Sequence, residues 1–149
     1  LDINWNVVTA KQMKYDEVGK RDKSSFPKYL YTKEKGYGQC LFGEHLIKNA
    51  NGKICILESE KSALIAALSF PEYTWVASGG ANGLTWEKIQ VLKGKSVCLF
   101  PDCDVAGRSA FAKAKTMLEK ICVEVKIVDV APNRNDSSDL ADLLLNNYY

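Results

Sequence analysis

The sequence holds one histidine, no CxxC pair, no apolar run near the length of a membrane span and no segment patterned like a secretory signal. Each absence removes a class of protein. A single histidine without paired cysteines argues against a tetrahedral zinc site. Without a long apolar run there is no membrane-crossing helix to expect. The five cysteines are odd in number. Two of them, Cys55 and Cys98, fall inside apolar runs, where a free thiol packs as a small hydrophobe. A reducing cytoplasm is therefore the expected compartment. The first residue is Leu rather than Met, so the chain is expected to be a fragment of a longer protein.

What is present fits one globular domain. The chain has 149 residues, 46% of them hydrophobic, and a formal charge of +2. Residues 1–53 carry ten Lys/Arg against six Asp/Glu, and residues 54–149 carry ten against twelve. This mild asymmetry fits a polyanionic partner for the front half.

From residue 54 onward the pattern alternates. "ICIL" (54–57) is an apolar run fit for a buried strand, and "EKSALIAALSF" follows with Ala63, Leu64, Ala67 and Leu68 on one helical stripe. "YTWVAS" (73–78) reads as a strand stopped by "GGANG", and "LTWEKIQVLKG" as a helix with a stripe at Leu84, Ile89 and Leu92. Gly94 is its stop. "SVCLF" is the third strand, "AGRSAFAKAKTMLEKI" the long helix, "VEVKIVDV" the fourth strand and "SSDLADLLLNNYY" the closing helix. Alternation with short connections predicts an α/β fold: a four-stranded, mainly parallel sheet with helices on both faces. Residues 1–53 read as a separate extension. One or two antiparallel strands turn near "DEVGKRDKSS", and a basic, aromatic stretch follows that is mostly loop.

The acids fall where such a sheet gathers ligands, at the carboxyl ends of its strands. Glu58 follows the first strand directly; Asp102 and Asp104 follow the third, flanking Cys103. Two like charges so close cost energy unless water screens them or a cation lies between them. Magnesium takes hard oxygen ligands, commonly one or two carboxylates with water and phosphate, and Glu58 can add a ligand or serve as a base. An acid pair on a loop is more often merely solvated, and it is the position after a buried strand that favours a site. Glu60 is a secondary candidate, although an acid in a first helical turn also suits the helix dipole. Arg108 sits unfavourably for that dipole, which points to a phosphate partner or an ion pair with Asp104. "SGGANGLT" reads equally as a backbone cradle for phosphate and as a turn needing positive φ. Asp136, Asp139 and Asp142 form a third acidic group, the last two matching the charge preference of a helix start.

Together "CILESEKSALIAAL", the turn at "ASGGANGLT" and "VCLFPDCDVAGRSAFAKA" resemble the Toprim domain, the catalytic module of bacterial replicative primases, topoisomerases and some nucleases. The resemblance spans about residues 54–145. It is most like the primase version, to which the upstream "PKYLYTKEKGYGQCLFGEHL" is also similar. It implies that residues 54–149 form a Toprim catalytic domain of a phage or mobile-element protein. Glu58, Asp102 and Asp104 would be the catalytic and metal-holding acids for Mg²⁺ or Mn²⁺, and Asp139 the acid that often follows the last strand. It further implies nucleotidyl transfer from nucleoside triphosphates on a single-stranded DNA template. A helicase or zinc ribbon would lie elsewhere in the full-length protein, with no membrane partner. Lys28, Tyr29, Tyr31, Lys33, Lys35 and Tyr37 would then track the template backbone and stack on bases. An ordinary solvated loop is the alternative for that segment. Two positions depart from the primase pattern: Ser59 stands for the usual glycine and Ser62 for a common aspartate.

Three other readings stay open at this stage. A Toprim endonuclease or topoisomerase would cleave DNA, although a topoisomerase's tyrosine nucleophile lies on a further domain. A non-catalytic nucleic-acid-binding module would hold no metal. A haloacid-dehalogenase-type phosphatase also places D-x-D after a buried strand. Its nucleophilic aspartate lies near the chain's start, however, and is followed by a Gly-Thr that is missing here.

Overall fold

A computed structural model describes residues 1–17, 19–22, 24–30 and 39–146. Six strands and four α-helices follow one another along it. They are β1 (Lys11–Gln12), β2 (Lys28–Tyr29), β3 (Ile54–Leu57), α1 (Glu60–Ser69), β4 (Thr74–Ala77), α2 (Trp86–Ile89), β5 (Ser96–Leu99), α3 (Val105–Leu118), β6 (Glu124–Ile127) and α4 (Leu140–Asn146). β1 and β2 pair antiparallel as a small separate ribbon. The other four strands form one parallel sheet in the order β4-β3-β5-β6.

Successive strand residues point to opposite faces, and both faces are filled. Ile54 and Ile56 of β3 pack with Val76, Val97 and Leu99 beneath α2 and α3, which contribute Ile89, Phe111 and Leu118. Cys55 and Leu57 pack on the other face with Trp75, Ala77 and Cys98 under α1 and α4, where Ala63, Ala66 and Leu140 meet them. Leu84, Ile89 and Leu92 are all buried as expected, but α2 itself is short: Leu84 precedes it and Leu92 ends the 3-10 turn Gln90–Leu92 that follows it.

The stripe read for α1 does not hold. Ala63 is buried, but Leu64 is 58% exposed, Leu68 is 86% exposed and Ala67 faces solvent. The residues that face inward are Ser62, Ala63 and Ala66. The helix is apolar on nearly every side, so periodicity offered no angle. Small residues win the inner face because α1 is pressed against both the sheet and α4.

The front segment holds more order than a loop. Lys28 and Tyr29 lie in β2, and a 3-10 helix spans Glu44–Asn49. Phe42 pairs antiparallel with Ala77 at the edge of β4. Leu41 and Ile47 are fully buried in the core of the parallel sheet. A boundary at residue 53 therefore separates this segment from the core it helps to fill. Gly43 makes the close approach possible. Its φ is +79°, and a Cβ there would stand 2.9 Å from the Trp75 carbonyl oxygen.

Candidate active site

The chain leaves β3 toward β4 on one side and then crosses back to β5 on the other. The strand order thus reverses between β3 and β5, and ligands of open α/β sheets bind at such a point. Glu58 follows β3 and Asp102 lies just beyond β5, so adjacent parallel strands bring the two together.

Glu58 is 8% exposed, and its Oε1 has no hydrogen-bond partner among the described residues. Asp102 Oδ1 is likewise buried and unpartnered. Burial pushes the Glu58 carboxyl above its ordinary value; Asp104 and Asp139 push the same way, and the Asp102 main chain partly opposes them. Asp102 is driven further, up to about 8, first by burial and then by the charges of Glu58, Asp139, Asp104 and Asp142. Two buried carboxylates near one another, each with an oxygen that nothing satisfies, are costly unless protonated or paired with a cation.

The third residue of α3, Gly107, keeps this space open. A Cβ there would sit 2.7 Å from Glu58 Oε1 and 3.0 Å from the Asp102 carbonyl oxygen. Ser59 has φ −97° and ψ 137°, extended backbone that any residue adopts. Its replacement of glycine therefore costs no backbone strain.

Asp104 has a different local role. It is the N-cap of α3, and its Oδ1 accepts from the Gly107 amide at 2.7 Å. That bond, with one from the Ser137 hydroxyl, holds its carboxyl below the ordinary value. Neutralising the two aspartates should therefore have different effects on stability. Asp104→Ala should lower stability by about 1 kcal/mol, while Asp104→Asn, which still caps, should stay close to the parent in urea unfolding.

The loop is fastened at Cys103. Its amide donates to the Ser138 carbonyl at 2.7 Å, and its carbonyl accepts from the amides of Asp136 and Ser137. Asp139 is buried behind the pair. It accepts a short hydrogen bond from the Ser62 hydroxyl, and its Oδ1 accepts from the Asp142 amide at 2.9 Å. The Asp139 amide donates to Asp142 Oδ2 at 3.3 Å in return, closing a reciprocal cap on α4. Ser62, where an aspartate is common, thus supplies a donor to a buried acid. An aspartate there would add a fifth negative charge.

Arg108 is spent elsewhere. Its Nε donates to Asp129 Oδ2 at 2.8 Å, and its terminal nitrogens donate to the carbonyls of Ala131 and Arg134. It ties α3 to the loop after β6, and its ionic partner among the described residues is Asp129 rather than Asp104. Glu60 Oε1 accepts from Lys11 Nζ at 2.7 Å, a pair joining α1 to β1 that no sequence signal announced. Lys28 and Tyr29 are exposed on β2; Tyr31, Lys33, Lys35 and Tyr37 lie outside the described residues.

The donor set suits a hard divalent ion. Among the described residues no three acidic side chains converge on one point. Magnesium needs only one or two carboxylates and completes its shell with water and phosphate, so the two unpartnered oxygens are adequate.

Residues 1–103 match the family described as a domain of unknown function, DUF6371. The chain belongs to that family. The match includes Glu58 and Asp102. No curated protein matches the chain. Among solved structures it is similar to the primase fragment of the bacteriophage T7 primase-helicase protein, at 25% identity and a TM-score of 0.67 over 99% of this chain. The same values hold for a chain in a structure described as bacteriophage T7 lagging-strand DNA polymerase interacting with the primase domains of two subunits bound to an RNA/DNA hybrid and dTTP. The chain spans 55% of the length of the first and 69% of the second. The fold of this DUF6371 member is that of a primase-like Toprim domain. None of its described helices is long and apolar enough to cross a membrane.

Proposed function

We propose that this chain is the catalytic Toprim part of a primase-like nucleotidyltransferase, acting with Mg²⁺ on nucleoside triphosphates over a single-stranded DNA template. One observation carries the reading. Two buried carboxylates, Glu58 and Asp102, meet where the strand order reverses, each with an oxygen that no group among the described residues satisfies. A divalent ion bound there would neutralise phosphate charge and act as a Lewis acid.

The chain's own residues supply the rest. In the transfer, a hydroxyl oxygen bonds to the α-phosphorus of a triphosphate, the bond to the pyrophosphate oxygen breaks, and the hydroxyl proton needs an acceptor. Burial raises the proton affinity of the Glu58 carboxylate, and its ionised form is suited to take that proton. Asp102 offers its unpartnered oxygen as a ligand, and Asp104, fixed as a helix cap, holds the loop in register. Loss of the base is expected to slow transfer by about 10²–10⁴-fold. Glu58→Gln should therefore keep its fold by circular dichroism and lose template-directed incorporation of labelled nucleotide. Incorporation near the parental rate would remove Glu58 from its role.

The front segment is proposed to hold the template. Lys28, Lys33 and Lys35 on phosphates would give log K against log salt a slope near −2, at about −0.7 per contact. Anisotropy of a short oligonucleotide across a salt series should show that slope in the parent. A variant with all three lysines changed to Gln should lose most of it, and an unchanged slope would return the segment to solvent. Tyr29, Tyr31 and Tyr37 are proposed as stacking platforms, each costing about 1–3 kcal/mol on truncation to Ala.

A further inference from the structure

A second feature lies beside the acid pair and is not used by it. A cleft of about 630 Å³ separates the β1–β2 ribbon from the loop that leaves β4, with Lys11, Tyr29, Gly79, Gly80, Asn82 and Lys88 among its lining residues. Its size is that of a small-molecule site. The loop is tied to the end of the neighbouring strand that carries the acid, since the Gly79 amide donates to the Glu58 carbonyl at 3.0 Å.

The loop is closed on itself in an unusual way. Gly79 and Gly80 have φ of +85° and +135°. The Gly80 carbonyl accepts from both the Ser78 hydroxyl, at 2.8 Å, and the Gly83 amide, at 2.9 Å. Gly83 is packed so tightly that a Cβ would fall 2.1 Å from the Ser78 carbonyl oxygen. The amides of Gly80, Ala81 and Asn82, in contrast, donate to no acceptor among the described residues. Successive free amides beside residues of positive φ form the kind of concavity that binds anions.

Lys88 faces the same cleft from α2. It is half-buried and has no ion-pair partner among the described residues, although Glu44 and Glu60 act on it from further off. Burial lowers its pKa, the expected cost of a cation waiting for a partner. Lys11, by comparison, is already paired with Glu60. Three unused donors in a row, an unpaired lysine and an aromatic wall at Tyr29 suit a phosphate group whose attached base or sugar lies in the cleft.

We propose that the Gly79–Gly83 loop and Lys88 form a phosphate-binding site in this cleft, filled by a nucleoside triphosphate or by a backbone phosphate of single-stranded DNA. It deepens the nucleotidyltransferase reading and rests on it for the choice of ligand. The binding itself needs no metal, so it is tested apart from catalysis. Isothermal titration in EDTA would use ATP in one arm and an oligo-dT lacking a 5′-phosphate in the other. Charge-assisted bonds are the strong ones, and losing one weakens binding about tenfold or more. Lys88→Gln and Gly83→Ala should each weaken one of the two probes by about that factor, with Lys88→Arg within about threefold of the parent. Weakening of ATP alone assigns the site to a nucleotide; weakening of oligo-dT alone assigns it to the template backbone. Melting curves of the three variants would separate lost binding from lost folding. Affinities for both probes that ignore Lys88→Gln in a folded variant, or a parent that binds neither, would overturn the site. The Glu58→Gln transfer assay would stand regardless of that result.

Discussion

Asp102→Asn is expected to make the metal-free protein more stable at pH 8 while abolishing its response to Mg²⁺. The direction follows from the proton count. Asp102 titrates near 8 in the fold and about 4 in an unfolded chain, so between those values the folded state binds the extra proton. Stability is then complete below pH 4 and is lost as pH rises toward 8, at up to about 1.4 kcal/mol per pH unit for one proton. Glu58 is raised by the same burial and shares the charge, so the two acids titrate as a pair. The Asn variant removes one charge and with it most of that slope. Magnesium should restore the parent at pH 8 and do nothing for the variant. Incorporation of nucleotide should fall by about 10²–10³, the size of a lost electrostatic contact to developing charge. Urea unfolding of both proteins at pH 5 and pH 8, with and without Mg²⁺, measures the whole set. A variant less stable than the parent at pH 8 would mean that Asp102 is held by bonds and not by an awaited ion.

Gly107→Ala sets two effects against each other. Inside a helix the change should gain about 1 kcal/mol from propensity alone. Against that, the new Cβ would stand 2.7 Å from Glu58 Oε1, 3.0 Å from the Asp102 carbonyl oxygen and 3.1 Å from the Asp102 amide nitrogen. The last two are backbone atoms and cannot swing aside. Overpacking of this kind costs about 1–3 kcal/mol, so the clash should win. The side chain that yields is that of Glu58, and a misplacement of about 1 Å at a reacting centre costs about 10²-fold in rate. The expectation is a folded protein, modestly destabilised, with nucleotidyl transfer reduced about a hundredfold. A variant of parental activity would show that the space between α3 and Glu58 is not needed for catalysis.

The parts of this picture that could be read from the sequence are those written in short-range patterns. β6 was marked by the alternation of Val125 and Ile127 with Glu124 and Lys126. Three apolar runs marked β3, β4 and β5, because a strand buried on both faces must be largely apolar. Glu58, Asp102 and Asp104 were visible because charges directly after such runs have few structural reasons to be there. What failed had no local signal. The inner face of α1 is Ser62, Ala63 and Ala66, chosen by close approach of a sheet and a helix that lie apart in the chain. The capping role of Asp104 was hidden by its neighbour, since both aspartates read as one motif. Arg108 with Asp129, Ser62 with Asp139, and Lys11 with Glu60 are partners separated by 21, 77 and 49 positions. Nothing in composition or periodicity couples such residues. Lys88 is ordinary in sequence and is marked out only by the cleft around it.

The claim on which the rest depends is that the Glu58–Asp102 pair is a site held open for a divalent ion. Carboxyl carbon NMR of the selectively labelled chain, titrated from pH 3 to pH 10 with and without Mg²⁺, tests it directly. The account predicts that the Asp102 carboxyl titrates near 8 in EDTA and moves down by several pH units when Mg²⁺ is present, with Asp104 staying low in both. An Asp102 that titrates near 4 in EDTA and does not respond to Mg²⁺ would contradict it.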